Sequence, residues 1–457
     1  MDRHEREGRA LEAARLTREL AERGVVAVAL PWVDNSGVVR AKSVPIDRLE
    51  HAAAWGVGAS PVFDAFTPDD TIVAGRYAGG PVGDLRLIPD LTRLTELAAQ
   101  PGWAWAPVDR YTQGGDLHPQ DARGVVRRAV AHLAEERLTA KAAIEIEWVV
   151  GRDGDDFAPA TRGPAYGYTR VVEKSDYLVE LLTALRHQGV RVEQIHPEYA
   201  PGQFELSVTA EDPLGAADTS VLVRETIRAV TDRHGMRVSF SPMVIAGGTG
   251  SGGHIHLSLW RDGRNLHSGG DGPCGLSATA GAFAAGILEH LPGLLAVGAA
   301  SVASYLRLVP GAWSAPFQAC GHENRETALR LVTGSAGEEE RAANLEVKVL
   351  DLSANPYLCV AGLLFAGLAG VRAGATLSGL VDVDPNSLSQ DDRDRLGIAR
   401  LPASLTDATD AFEADAMLTD AFGTELAATI VDVRRAEIAR FAAATDEEIA
   451  AGLRWAF

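Results

Sequence analysis

Short runs of strictly alternating apolar and polar residues recur along this chain, separated by longer segments whose apolar residues keep helical spacing. The clearest run follows the glycine-rich stretch Gly247-Gly248-Thr249-Gly250-Ser251-Gly252-Gly253. In His254-Ile255-His256-Leu257-Ser258-Leu259-Trp260, the polar residues His254, His256 and Ser258 take one face of a predicted strand and Ile255, Leu257 and Leu259 the other. The same alternation puts Glu145 and Glu147 on one face of a strand predicted over 142–150, Glu205 on a strand over 203–209, and Glu346 on a strand through Leu345-Glu346-Val347-Lys348-Val349. Glu198 precedes the turn Tyr199-Ala200-Pro201-Gly202, and Glu193 lies earlier on a strand predicted over 190–195. A further strand is predicted over 238–245, and helices over 121–137, 175–188, 217–234 and 277–289, with a helical region from Asp391 to Phe457. Near the N-terminus, runs at 25–34 and 38–45 joined by Asn35-Ser36-Gly37 read as a hairpin. These patterns predict an α+β protein in two parts: a small N-terminal unit over residues 1–110, then a polar, glycine-containing linker opening a larger α+β domain over 111–457.

Composition narrows the function classes. A chain of 457 residues exceeds what one core usually serves, and 46% hydrophobic residues fit an ordinary globular protein. The net charge of -19 and the lack of clustered Lys and Arg argue against nucleic acid as a partner. Cys274, Cys320 and Cys359 lie far apart without a CxxC pair and read as reduced packing residues. The charged segment 1–23 lacks the apolar run of a secretory signal, and the apolar segment 359–371 is too short and too rich in Gly and Ala to span a bilayer, so it is expected as a core helix. The expectation is a cytoplasmic protein with no membrane partner.

The acidic residues need a physical explanation. Each glutamate strand has an apolar face that must pack on a core, so the opposite faces can line one cavity. On a solvated edge strand the paired carboxylates cost little; gathered into one cavity with His254 and His256, they are unstable unless cations compensate. An oxygen-rich set with little imidazole suits Mg²⁺ or Mn²⁺ better than Zn²⁺, and such ions commonly serve phosphate transfer. Arg307, Arg325, Arg330 and Arg341 lie in polar stretches and could clamp phosphates or carboxylates, although each alone fits a surface role as well.

From Asp34-Asn35-Ser36-Gly37-Val38-Val39-Arg40-Ala41-Lys42 to Ala354-Asn355-Pro356-Tyr357-Leu358, the order of these motifs resembles the glutamine synthetase superfamily over nearly the whole chain. The resemblance implies a small β-grasp N-terminal domain, a large catalytic domain, and a homo-oligomer of two stacked hexameric rings, a dodecamer, with sites shared between neighbours. It implies that Glu147, Glu198 and Glu205 hold one Mg²⁺ or Mn²⁺ ion and Glu145, His254 and Glu346 a second. It implies that Glu193, His256, Ser258 and Arg330 contact ATP, that Arg307 grips glutamate with Gly250 as a main-chain contact, and that Arg325 steadies the transferred phosphoryl group. ATP would phosphorylate the side-chain carboxylate of glutamate, and an amine would then attack the acyl phosphate.

The chain also departs from the resemblance. Members that use ammonia carry an Asp-Gly-Ser-Ser segment, where this chain reads Val57-Gly58-Ala59-Ser60, and a flap glutamate, where it reads Ala312-Trp313-Ser314-Ala315-Pro316. Capture and deprotonation of ammonium need negative charge, so loss of both acids predicts a larger amine held through its carbon skeleton, with Trp313 as an apolar or cation-π wall. The expected function is therefore an ATP-dependent glutamate–amine ligase acting on a polyamine, ethanolamine or another monoamine. Glutamine synthesis stays open if Asp64 or Asp69 replaces the lost acids, and so does a catalytically silent homologue. Thr249, Asn344 and Lys348 depart from the Asn, Arg and Arg that usually occupy their positions, with Lys348 expected to face substrate. No counterpart of the adenylylated tyrosine of some bacterial members is found near Asp384 to Ser389.

Overall fold

The computed structural model describes residues 3–152, 154 and 157–457. The predicted N-terminal hairpin forms from Ala27–Val33 and Val39–Pro45, paired antiparallel, and Ala27–Val33 also pairs in parallel with Trp103–Trp105. Helices Arg3–Glu22 and Leu49–Trp55 lie against this sheet and bury Ala13, Leu20, Leu49 and Ala53 with Val28, Leu30, Leu87 and Val108 in a small core of their own. The strand Val57–Ala59 pairs with Leu85–Pro89, which pairs with Val108–Thr112.

The rest of the chain builds two large sheets around a second, larger core, and a short pair of Phe317–Gln318 with Ala399–Arg400. One has the strand order Val192–Pro197, Gln203–Val208, Ile146–Arg152, Met236–Ser239. The other has Ile255–Arg261 paired with Thr139–Ile144 on one side and Asn344–Val347 on the other, continuing through Leu329–Val332 to Cys320–His322. Both are antiparallel except at the last pair, as expected for sheets with one polar face.

Four expectations are corrected here. The strand predicted over 142–150 is broken at Glu145: Thr139–Ile144 belongs to the second sheet and Ile146–Arg152 to the first. Its continuous apolar run, Ile144, Ile146 and Trp148, is buried in both sheets and so gives no local mark of the change. The strand predicted over 238–245 ends at Ser239, because Pro242 has no N–H for a ladder. The neighbouring strand runs over Val192–Pro197 rather than 190–195, and the helix predicted over 277–289 continues to Gly298 with Pro292 inside it.

That helix, Ala278–Gly298, packs on Pro356–Ala373, which contains the predicted core segment 359–371. Both are apolar and long enough to cross a membrane, yet 67% and 78% of their apolar windows are buried inside the protein. A Cβ on Gly370 would stand 2.2 Å from the carbonyl oxygen of Ala282, so the close crossing of these helices requires glycine there. All three cysteines are free, with Cys320 and Cys359 buried and Cys274 exposed.

A buried ionic junction joins the N-terminal region to the larger core. Arg123 donates to both carboxylate oxygens of Asp218 at 3.0 and 2.9 Å, to Asp90 at 2.8 Å and to Asp109 at 2.5 Å, while the Tyr357 hydroxyl donates to Asp218 at 2.7 Å. Asn355 caps the Pro356–Ala373 helix and donates to the carbonyls of Val33 and Asp34 at 3.0 and 3.1 Å, so one side chain ties the N-terminal hairpin to the core helix.

Candidate active site

Cross-strand register brings the acidic residues together. Glu147 lies opposite Glu205, which lies opposite His196; on the other sheet Glu346 lies opposite both His256 and Arg330. Residues directly opposite in a ladder share a face, so each sheet gathers its polar side chains on one surface. Glu145, at the break, ends one sheet and begins the other, and its N–H donates to the carbonyl of His254 at 2.9 Å.

The second sheet supplies a tight group. His254 Nδ1 is 3.0 Å from Glu145 and 3.4 Å from Glu346, and His256 Nε2 is 3.1 Å from Glu145. Lys348 Nζ donates to Glu346 Oε1 and Arg330 Nη1 to Glu346 Oε2, both at 3.0 Å; Arg330 also pairs with Glu323. Burial raises the Glu346 carboxyl, but the Lys348 ammonium and the two imidazoles outweigh it and bring it down to about 2. Burial likewise opposes ionisation of Glu145, and His256 and His254 hold it well below the usual carboxylate range. Burial disfavours the charged His256 ring, yet the neighbouring Glu145 charge raises it to about 9.

The first sheet supplies the other group. His196 Nε2 lies 3.3 Å from Glu205 and its Nδ1 3.5 Å from Glu198. The hydrogen bond with Glu205 raises His196 to about 9 against the effect of burial. Glu198 is pushed up to about 7 by burial and the charge of Glu147, although the Tyr166 hydroxyl donates to its two oxygens at 3.0 and 2.8 Å. Burial also raises Glu147, with His254 lowering it and Glu205 adding repulsion. Gln203 Nε2 donates to Glu147 Oε2 at 3.0 Å and to the Gly250 carbonyl at 3.0 Å, joining the strand to the glycine-rich loop.

Two sets of donor atoms, Glu145/His256/Glu346 and His196/Glu198/Glu205, each lie within 4.8 Å of one another, with Glu147 and His254 between them, 3.8 Å apart. Arg307 stands beside them. Its Nη2 donates to the Lys348 carbonyl at 2.9 Å and lies 3.3 Å from His254 Nε2, and burial lowers its pKa. A Cβ on Gly252 would come 2.4 Å from His254 Nε2 and 2.9 Å from both Arg307 Nη2 and Glu147 Oε1, so the loop forms the floor of the site only as glycine.

Glu145, Glu147, Glu198, Glu205, His254, His256, Arg307, Arg330, Glu346, Lys348 and Gly250 are thus gathered in one place. Other predicted residues sit outside the cluster. Glu193 is exposed and accepts from Thr209 at 2.5 Å. Ser258 is buried, accepting from Trp260 Nε1 at 2.8 Å. Arg325 is exposed on the turn after Asn324, and Trp313 stands on an exposed loop. Asp64 and Asp69, the candidate replacement acids, are both engaged: Asp64 with Arg110 at 2.5 Å and His118 at 2.9 Å, Asp69 with Thr67, Thr71 and Arg440.

Four contributors escaped the sequence reading. His196 and Gln203 share the period-two spacing of Glu198 and Glu205, a signal obscured for His196 by ending its strand two residues early, at 195. Tyr166 and Arg170 had no periodic signal. Arg170 donates from Nη1 to the carbonyls of Glu198 and Ala200 at 2.6 and 2.7 Å and so shapes the turn that carries Glu198.

Comparison with known proteins agrees with this arrangement. Residues 8–125 match the glutamine synthetase N-terminal domain and residues 119–450 the glutamine synthetase catalytic domain. The chain is 54% identical over 456 residues to gamma-glutamylpolyamine synthetase GlnA3 of Streptomyces coelicolor, covering 99% of this chain and 98% of that one. Among solved structures it superposes on a novel glutamine synthase homolog with a TM-score of 0.85 and 31% identity, over 95% of this chain and 99% of that one. It superposes on a GmaS/ADP complex with a TM-score of 0.83 and 30% identity, over 94% and 97%. With both domain types matched end to end around one carboxylate and imidazole cluster, the chain belongs to the glutamine synthetase family.

Proposed function

We propose that this protein is an ATP-dependent ligase that joins the γ-carboxylate of glutamate to an organic amine through γ-glutamyl phosphate, with a polyamine as the first candidate amine. One observation carries the reading: an acid-rich cluster suited to cations and an anionic substrate lies within a chain whose loop over 309–316 carries an exposed Trp313 where ammonia-using relatives are expected to carry an acid. The 54% identity to a gamma-glutamylpolyamine synthetase supports it.

The donor set fits two hard divalent cations. Carboxylate oxygens dominate it, and the raised imidazoles of His196 and His256 mark a site whose negative charge draws in protons when nothing stronger is at hand. Glu198 and Glu205, with Glu147 and His196 beside them, would hold one Mg²⁺ or Mn²⁺ ion; Glu145 and Glu346, with His254 and His256, would hold the other. When bound, such ions supply positive charge against the phosphates of ATP and the phosphoryl group in transfer.

The side chains of this chain do the rest. Arg307, braced by the Lys348 carbonyl, presents its guanidinium to the α-carboxylate of glutamate beside the Gly250 main chain. Lys348 and Arg330, anchored on Glu346, keep positive charge facing the anionic substrates. Glu193, His256, Ser258 and Arg330 serve ATP, and Arg325, exposed on its turn, reaches the transferred phosphoryl group. Amine attack on the acyl phosphate forms the amide bond and expels phosphate, and the departing amine proton passes to a carboxylate of the cluster. The chain divides into an N-terminal domain of residues 1–110 and a catalytic domain of residues 111–457, and it assembles as stacked hexameric rings in which a neighbour's N-terminal domain closes each site.

The test is phosphate release with glutamate, ATP and Mg²⁺ across polyamines, ethanolamine, other monoamines and ammonium. Release with a polyamine and not with ammonium is expected. Release with ammonium alone would instead establish glutamine synthesis, and release with none, together with no stabilisation by Mg²⁺ and ATP, a silent homologue.

A further inference from the structure

The loop from Val309 to Pro316 is held at three places. Arg400 closes its base, donating to the carbonyls of Leu308 at 2.6 Å and Pro316 at 2.8 Å. Ser314 Oγ reaches across it to the Val309 carbonyl at 2.9 Å. At the tip, the Trp313 main-chain N–H donates to Glu326 Oε1 at 2.9 Å.

The tip is an unfavourable conformation for its residues. Trp313 and Ala315 both have positive φ, +56° and +55°, a region that side chains with a Cβ adopt only where the surroundings hold them. The Trp313 side chain is 67% exposed, so the packing of its own ring does not account for the backbone there. Glu326 is the opposite, 9% exposed, with its N–H accepted by Asn324 Oδ1 at 3.0 Å. Its second carboxylate oxygen, Oε2, has no hydrogen-bond partner among the described residues. Burial pushes this carboxyl up, and the Trp313 N–H works against that. Two residues on, the Ala328 carbonyl accepts the Lys348 N–H at 3.0 Å, and Lys348 holds Glu346. The loop tip is therefore fastened to the strand pair that carries a cluster glutamate.

We infer that Glu326 is a positioning residue for amine selection: by fixing the backbone at Trp313 it presents the indole as a wall for the carbon skeleton of an aliphatic amine. The inference rests on the ligase reading above. Its content is a hydrogen bond rather than a charge, which two conservative replacements separate. Glu326→Gln keeps an oxygen at the same reach, and Glu326→Asp keeps the charge but falls one methylene short.

The experiment uses the full-length protein with the best amine from the panel. Trp313→Ala, Glu326→Ala and Glu326→Asp are expected to raise the amine KM about tenfold, the size of one aromatic or cation-π contact, with the KM values for glutamate and ATP changed less than about twofold. Glu326→Gln recovers to within about threefold of the parent, and Trp313→Ala combined with Glu326→Asp is no worse than Trp313→Ala alone. Acrylamide quenching of Trp313, read as the difference from a Trp313→Phe variant, rises in Glu326→Asp and stays at the parent value in Glu326→Gln. An active parent whose Glu326→Asp variant keeps the parent amine KM and quenching overturns the tether. So does a Glu326→Gln variant as impaired as Glu326→Asp, which would make the charge the working feature. A parent inactive with every amine overturns the ligase reading and the wall together, and the quenching difference still decides whether Glu326 fixes the loop.

Discussion

Two buried assemblies of charge lie in this protein, and they are built on opposite rules. At the junction, Arg123 answers Asp218, Asp90 and Asp109, while Arg93 and Arg127 flank the same carboxylates. In the active-site cluster, Glu198 and Glu205 have only His196 as a basic partner among the described residues, and Glu147 faces Glu205 across the ladder. The junction balances its own charge and holds the fold together; the Glu147, Glu198 and Glu205 side of the cluster has more carboxylates than cations, with Glu198 raised to about 7, a shortfall that bound cations would make good. Buried charge is thus not one thing: at the junction the pairing is complete, and around Glu198 and Glu205 it is not.

The contrast can be broken most directly at Glu205. Glu205→Ala should lower kcat/KM by at least about 10³-fold, some 4 kcal/mol of transition-state stabilisation, while leaving the metal-free protein as stable as the parent or more so. Steady-state kinetics and denaturant unfolding in EDTA check both halves; a variant that unfolds readily without metal would make the cluster structural after all. Arg123→Met should do the reverse. Removing Arg123 leaves the three aspartates with only Arg93 and Arg127 as basic partners among the described residues, and should cost about 3–5 kcal/mol of stability in EDTA. Next in size is the effect of the ion itself: Mg²⁺ or Mn²⁺ at about 100 times its Kd should stabilise the parent by about 2.7 kcal/mol, and Glu205→Ala by much less. Stabilisation of equal size in both would separate the metal from the cluster.

A third buried group sharpens the comparison at smaller scale. Burial raises the Asp64 carboxyl, but Arg110 and His118 outweigh it, so its folded pKa lies below the unfolded value. A depressed carboxylate stabilises the fold above the unfolded pKa of about 3.9, and the contribution is lost as pH falls through the folded value. Asp64→Asn should therefore lower stability by about 2 kcal/mol at neutral pH, and the gap from the parent should close as pH falls below the unfolded value of about 3.9 and through the lower folded one. A gap that persists there would show steric rather than ionic cost.

Much of this was legible in the sequence because β alternation encodes facing. The polar faces of His254-Ile255-His256, Gln203-Phe204-Glu205 and Leu345-Glu346-Val347 could be read residue by residue, and their convergence followed from burial of the opposite faces. What stayed hidden was non-local. Nothing around Glu145 announces that the chain changes sheets there, since Ile144 and Ile146 are equally buried on either side. Tyr166 reaches Glu198 from a loop with positive φ and no period, and Glu326 meets Trp313 across a turn that no spacing predicts.

The break at Glu145 carries a mechanical consequence. His196, Glu198 and Glu205 lie on one sheet and its adjoining turn, and His256 and Glu346 on the other, so each group keeps its internal spacing whenever its own sheet stays intact. The gap between the groups is set where the two sheets meet, at Glu145, pinned by its N–H to the His254 carbonyl, and at the bridge between Ala142 and Glu211. A sliding of one sheet against the other would therefore act as a calliper, changing the span between the two groups of donor atoms across the seam that Glu145 marks.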